Sequence, residues 1–254
     1  MTAPNAIEAI DRNEYARRQE RRFLVSEKVS RLALRAAAAH LGIARDDRPY
    51  QWSTTTYCDT YDWQVLRAER EGHATQIRLR EYHRIRPNDA FGGETIFLEM
   101  KDDSPDAAMK ERYIVPTPEV MSYLRGERKL DAAANTLVPR MDALVAAGVR
   151  PVVVTQYNRI AYAAPDGTVR ITADHNLMYL AIPWQANSDD AVPCRIGPVI
   201  EREPGVIIEV KWFDKLPHWA DELYGYVREH MVDERPSKYV VAMGYLLGEH
   251  EESV

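Results

Sequence analysis

The chain has 254 residues, 45% of them hydrophobic, two cysteines and a formal net charge of −6. Its mean hydropathy is near −0.45. That composition excludes a disordered polyelectrolyte, and no run approaches the roughly 18 consecutive apolar residues of a membrane helix. The opening 22 residues are polar and charged and lack the apolar core of a signal peptide. A single cytoplasmic domain over residues 15–248 is therefore expected, between tails at 1–14 and 249–254, with no direct membrane insertion. An acidic chain is a poor non-specific nucleic-acid coat, because phosphate neutralisation needs a positive surface. Cys58 and Cys194 have no metal-ligand spacing, and Cys58 falls inside a strand pattern, which predicts a buried reduced thiol.

In chain order, Arg17 to Val25 alternates as a strand. Ser26 then predicts the N-cap of a helix running to Leu41, with Val29, Leu32, Ala36 and Leu41 on one face and Gly42 ending it. Further strand patterns cover 51–58, 74–83, 94–101, 109–115, 152–163, 168–174 and 206–212, which with the first makes eight. Helical patterns cover 118–125, 129–147, 218–230 and 237–247, and the Pro-, Asp- and Asn-rich stretch 183–205 reads as a long loop. Asp166-Gly167 between two strand patterns predicts a tight hairpin, which favours antiparallel pairing. Many strands with interspersed helices indicate an α+β domain.

Side chains two apart on a strand share a face. Splitting each strand this way separates apolar rows such as Ile96, Leu98, Met100 from polar rows such as Phe97, Glu99, Lys101. Adding Arg159 and Lys238, the polar rows hold ten basic residues (Arg22, Arg78, Arg80, Lys101, Lys110, Arg112, Arg159, Arg170, Lys211, Lys238) and four acidic ones (Glu20, Glu99, Asp174, Glu209). That sums to +6 and leaves −12 for the rest of the chain. One reading is an ordinary sheet with one solvated face. The other takes the apolar rows as facing outward beneath helices while the charged rows line a closed interior, and the segregation of sign favours it. An interior of that charge calls for an anion: Arg forks fit phosphate oxygens, Lys supplies point charges, and the few carboxylates suit a hard divalent cation.

Several short runs carry a family resemblance in their order and spacing: Glu-Arg-Arg-Phe-Leu-Val (20–25), Thr-Thr-Tyr-Cys-Asp-Thr (55–60), Ile-Arg-Leu-Arg-Glu-Tyr (77–82), Phe-Leu-Glu-Met-Lys (97–101), Lys-Glu-Arg-Tyr (110–113), Arg-Pro-Val-Val-Val-Thr-Gln-Tyr-Asn-Arg-Ile-Ala-Tyr (150–162), Val-Arg-Ile-Thr-Ala-Asp (169–174), Ile-Ile-Glu-Val-Lys (207–211) and Pro-Ser-Lys-Tyr (236–239). Together they resemble the triphosphate tunnel metalloenzymes, and within them the catalytic domain of the vacuolar transporter chaperone (VTC) polyphosphate polymerase. The resemblance implies an eight-stranded antiparallel β-barrel tunnel with helices packed outside, binding ATP or another triphosphate with Mn²⁺ or Mg²⁺ and transferring the terminal phosphate to inorganic polyphosphate. It implies Arg22, Arg78, Arg80, Lys101, Arg159, Arg170 and Lys238 as phosphate ligands, with Lys110, Arg112, Lys211, Tyr157 and Ser237 beside them. Glu209 is implied as a metal ligand, with Glu20 and Glu99 as further candidates. Ser237 would also cap the last helix, whose N-terminus favours an anion at Lys238.

Where many hydrolase and cyclase members carry Glu-x-Glu-x-Lys, this chain has Arg18-Gln19-Glu20-Arg21-Arg22. The lost carboxylate leans toward transfer, because a terminal phosphate acceptor is already ionised and needs no general base. Two alternatives stand beside the polymerase: a tunnel hydrolase of inorganic or nucleoside triphosphate, and a non-catalytic polyphosphate-binding module. Recruitment by a membrane partner protein is compatible with all three. No Gly-rich phosphate loop, Gly-x-Ser-x-Gly elbow or His-Glu-x-x-His motif occurs, and Trp63, Trp212 and Trp219 are expected to pack beneath helices.

Overall fold

A computed structural model describes residues 18–44, 50–72, 75–88, 95–102, 109–129, 138–182 and 196–249. All eight expected strands form: β1 (Arg18–Val25), β3 (Gln51–Asp59), β4 (Thr75–His83), β5 (Thr95–Asp102), β6 (Met109–Pro116), β7 (Arg150–Ala163), β8 (Val169–Ala181) and β10 (Val206–Phe213). Three short ones join them, β2 (Gly42–Ile43), β9 (Val199–Arg202) and β11 (Asp233–Glu234). The helices are α1 (Glu27–His40), α2 (Gln64–Arg70), α3 (Thr117–Leu124), α4 (Val138–Ala146), α5 (His218–Glu229) and α6 (Lys238–Leu247).

The strands form one antiparallel sheet in the order β11-β1-β10-β8-β7-β3-β4-β5-β6, with β2 on β7 and β9 on β8. This corrects the expected closed barrel: the ladder is open, and among the described residues no pairing joins β6 to β1. The free edge of β1 is taken instead by the segment around β11, where Phe23 pairs with Glu234, Leu24 with Asp233, and the Arg235 amide donates to the Arg22 carbonyl.

The apolar rows do face helices. On one half of the sheet Phe23, Val25, Ile171, Ala173, Ile208 and Val210 pack under α1 and α5. On the other half Ile77, Leu79, Ile96, Leu98 and Met100 pack under α3 and α4. Each such side chain taken fully out of water contributes about 1.5–3 kcal/mol. On α1 the buried face is Val29, Ala33 and Ala37, and Leu32 is exposed. The i, i+4 spacing of the small alanines, rather than the leucine, lets the helix lie close on the sheet. Ser26 caps α1 as expected, its hydroxyl accepting from the Val29 amide at 3.3 Å.

The last helix departs from the outside-only arrangement. Beyond the charged positions the inner rows turn apolar, at Leu24, Tyr57, Val153, Leu177, Tyr179 and Ile207, and these pack against Tyr239, Val241, Ala242 and Met243 of α6 and against Val65 and Leu66 of α2. Helix α6 thus fills the apolar end of the concave face and presents its N-terminus to the charged end. β8 reaches this end because it continues past residue 174 through Asn176, whose φ of 53° is a left-handed conformation Asn tolerates. The irregularity there shifts the side-chain parity, so that Leu177 and Tyr179 continue the row of Asp174.

The expected helix at 129–147 is seen as α4, part of the expected range lying outside the described residues, and the expected loop at 183–205 contains β9. Cys58 is buried and free, its thiol pushed up by burial and by neighbouring Asp59; Cys194 lies outside the described residues. Trp212 belongs to the core under α5, while Trp219 stacks on His40 and Trp63 packs beside α6. Gly205, just before β10, has no room for a side chain: a Cβ there would meet the Val25 carbonyl oxygen at 2.4 Å.

Candidate phosphate and metal site

The ladder registers place the expected residues on one surface. Across neighbouring strands run Arg22 opposite Glu209, Glu20 opposite Lys211 and Lys211 opposite Arg170. Asp174 lies opposite Arg159, Thr55 opposite Arg80, Arg78 opposite Glu99, and Glu99 opposite Arg112. Lys101 sits beside Gln76 on the same row and opposite Lys110. The side chain of Lys110 lies outside the described residues. Lys238 and Ser237 arrive from the start of α6, where the Ser237 hydroxyl accepts from the Val240 amide at 3.2 Å.

Two carboxylate-centred clusters result. In the first, Glu99 is fully buried and holds three guanidinium groups: Arg112 Nε at 2.8 Å and Nη2 at 2.5 Å on Oε1, and Arg78 Nε at 2.7 Å and Arg80 Nη1 at 3.5 Å on Oε2. Arg80 also donates to Thr55 Oγ1 at 3.0 Å, and Arg112 lies over the Phe97 ring. One buried carboxylate thus meets three fixed cations on the same face.

In the second cluster, Lys211 Nζ lies 2.8 Å from both Glu20 Oε2 and Glu209 Oε1. Arg22 pairs with Glu20 and approaches Glu209 at 3.5 Å. Arg159 is bidentate to Asp174 (2.5 and 2.7 Å) and reaches Glu209 Oε2 at 3.2 Å, where Thr172 Oγ1 also donates at 3.3 Å. Lys238 Nζ meets Asp174 Oδ2 at 2.7 Å. Tyr157 stands beside this cluster, its ring 5.0 Å from the Arg159 guanidinium and 5.1 Å from Lys238 Nζ.

Burial alone would raise the Glu209 carboxyl. Lys211, Arg159 and Lys238 overturn this and hold it well below the usual carboxylate range. Asp174 is likewise lowered, with Arg159 and Lys238 outweighing burial. Glu20, pushed up by burial and by Glu209, is brought down by Lys211 and Arg22. Lys238 pays for its burial through Asp174 and Glu209, which raise it and keep it charged. All three carboxylates stay ionised at neutral pH.

The second cluster offers two carboxylates, Glu20 and Glu209, to a hard divalent cation. Glu20 and Glu209 already converge on one cationic atom, as oxygen ligands converge on Mg²⁺ or Mn²⁺. Among the described residues no group of three His, Cys, Asp or Glu is arranged to hold a metal, so the remaining oxygens would have to come from a bound phosphate. None of the three expected ligands, Glu20, Glu99 and Glu209, belongs to such a group; both oxygens of Glu99 face guanidinium groups, and those of Glu209 face Arg22 and Arg159 as well as Lys211. Asp174 was legible in the sequence as an acidic member of the charged row and proves to be the anchor of Arg159 and Lys238. Asp59 and Tyr239, which fix α6, carried no sequence signal beyond lying within the quoted runs.

Among the described residues no helix is long and apolar enough to cross a membrane. A profile of the VTC domain family matches residues 17–247. No curated protein sequence matches the chain. Similar solved structures include a putative adenylate cyclase from Bacillus halodurans (11% identity, TM-score 0.49, covering 87% of this chain and 95% of that one). Another is a putative adenylyl cyclase from Hippeastrum described as having a dominant triphosphatase activity (11%, TM-score 0.48, covering 92% and 97%). A third is a putative adenylate cyclase from Vibrio parahaemolyticus (12%, TM-score 0.46, covering 89% and 97%).

Proposed function

The chain belongs to the VTC domain family, and on that premise we propose that it is a polyphosphate polymerase, residues 15–248 acting as one domain that transfers the terminal phosphate of ATP to a growing inorganic polyphosphate chain. In this reading Arg22, Arg78, Arg80, Lys101, Arg159, Arg170 and Lys238 grip phosphate oxygens, with Lys110, Arg112 and Lys211 adding charge and Tyr157 and Ser237 holding the wall. Glu20 and Glu209, completed by phosphate oxygens, would hold Mn²⁺ or Mg²⁺. The ion, when bound, would neutralise oxygens of the triphosphate and hold them in line.

An ionised oxygen at the end of the acceptor chain attacks the γ-phosphorus. The bond from that phosphorus to the β–γ bridging oxygen breaks, and its electron pair leaves on the β-phosphate of ADP. No proton has to move. The fixed guanidinium and ammonium groups meet the charge that develops on the bridging and equatorial oxygens, which is where phosphoryl transfer is accelerated.

The observation that carries transfer over hydrolysis is the state of the carboxylates. Glu20, Asp174 and Glu209 are ion-paired and held low, which makes them poor bases for activating water, and both oxygens of Glu99 face arginines. A polyphosphate terminus needs no such base. The test is incubation of the purified protein with ATP and Mn²⁺ or Mg²⁺, resolving products on a gel while assaying free phosphate. A ladder of chains with ADP release is expected. Free phosphate without a ladder would make the protein a hydrolase, and neither product would point to a binding module or a missing activator.

A further inference from the structure

Nearly every cation of the site stands on a strand, where the hydrogen-bonded ladder sets its height and direction. Lys238 does not. It is the first residue of α6, so its position depends on whatever holds that helix start against the sheet. The next residue, Tyr239, is fully buried; its ring stacks on Tyr57 of β3 at 5.2 Å and its hydroxyl donates to Asp59 Oδ2 at 2.5 Å. Asp59, the last residue of β3, has no exposure. Its carboxylate also accepts from the backbone amides of Thr60 (2.7 Å), Val65 (2.9 Å) and Leu66 (3.1 Å), the last two in the first turn of α2. One carboxylate thus ties together the end of β3, the start of α2 and the start of α6. Burial, reinforced by the Asp59 carboxylate, pushes the Tyr239 phenol up, so it stays protonated and donating.

We infer that the Asp59–Tyr239 hydrogen bond is a positioning device that sets the Lys238 ammonium against Asp174 and the Tyr157 ring in the concave site. Neither residue faces the charged row. They act through α6, and a lost hydroxyl one residue away frees Lys238 without touching the strand-borne cations. Lys211, placed by β10, is the built-in control. The role of this placement in gripping a triphosphate rests on the function proposed above, whereas the placement itself does not.

The experiment compares the intact wild-type chain with Tyr239→Phe, which removes one oxygen and keeps the ring, and with Asp59→Asn. Limited acetylation with an amine-selective reagent, read by peptide mass spectrometry, reports the accessibility of each lysine. In Tyr239→Phe the acetylation rate of Lys238 is expected to rise at least about fivefold while that of Lys211 stays within about twofold, the change expected when a buried ion pair loosens locally. No change at Lys238, or an equal rise at both lysines, would overturn the inference. Should Asp59→Asn fail to fold, Tyr239→Phe decides alone.

A second arm measures tripolyphosphate binding by calorimetry in a double-mutant cycle of Tyr239→Phe with Lys238→Ala. Each single variant is expected to weaken binding about tenfold and the double variant no further, as for residues acting through one interaction. Additive losses would overturn the coupling of the hydrogen bond to phosphate grip. If the wild type binds no tripolyphosphate, the proposed function fails while the acetylation pattern still decides the positioning role.

Discussion

Glu99 and Glu209 both stand in the charged rows, both buried and both among arginines, yet their partners differ in kind. Both oxygens of Glu99 face rigid forks, Arg112 on one and Arg78 and Arg80 on the other. It acts as an internal counter-ion to three guanidinium groups. Glu209 also meets guanidinium groups, Arg22 Nε at 3.5 Å and Arg159 Nη2 at 3.2 Å, but in addition it shares the Lys211 ammonium with Glu20, and that ammonium sits on a flexible stem. The difference arises from what lies across the ladder: Glu99 faces arginines on both neighbouring strands, whereas Glu209 faces Arg22 on one side and Thr172 on the other. Residue type alone therefore does not separate the two carboxylates; an ammonium shared with a second carboxylate does.

That contrast can be tested directly. The largest effect is expected from Glu209→Gln, which removes one of two converging carboxylates: metal-dependent turnover of ATP should fall by about a thousandfold, in line with losing a dominant electrostatic contribution, with circular dichroism unchanged. Normal turnover in this variant would remove Glu209 from the metal site. Arg80→Ala comes next, with about a hundredfold loss in turnover and no change in the Mn²⁺ concentration needed for half-maximal activity. A shifted metal requirement would mean that the two clusters are not separate in function.

Glu99→Gln should act on stability first. Leaving three buried guanidinium groups without their anion is expected to destabilise the fold by about 3 kcal/mol in thermal or urea unfolding, and added tripolyphosphate should restore part of it by replacing the missing charge. No destabilisation would show the cluster to be well solvated. The smallest effect concerns pH. Glu20, Asp174 and Glu209 are all depressed, so the stability they contribute is complete above the ordinary carboxylate range and is lost as pH falls below about 4 toward their folded-state values. The decline in melting temperature between about pH 4 and pH 2 should be shallower in Glu209→Gln than in the wild type.

Much of this was legible from period alone. All eight long strands alternate in the sequence, and the charged row they imply is the row the registers bring together. Which end of that row is used was not legible. Ile207 stands in the same row as Glu209 and Lys211, and Leu24 in the row of Glu20 and Arg22. These apolar members were the trace of the end that α6 fills, but alternation says nothing about what covers a face. The continuation of β8 was hidden by the parity shift at Asn176, which breaks the period of two. Helix α2 has only seven residues and starts after Trp63 at a φ of 58° without a side-chain cap from that residue, so neither cap nor period announced it. The outermost strand of the ladder, β11, has two residues, too few to carry any pattern.

The contact at Gly205 bears on how this site would look to random mutagenesis. Any side chain there would press on the Val25 carbonyl and push the start of β10 away from β1, four residues before Glu209. In a scan scored by activity, Gly205 should rank with the arginines as intolerant of replacement, although it offers a phosphate neither charge nor hydrogen bond from a side chain. A map of essential positions would thus mix ligands with a spacer, and only the backbone geometry tells them apart.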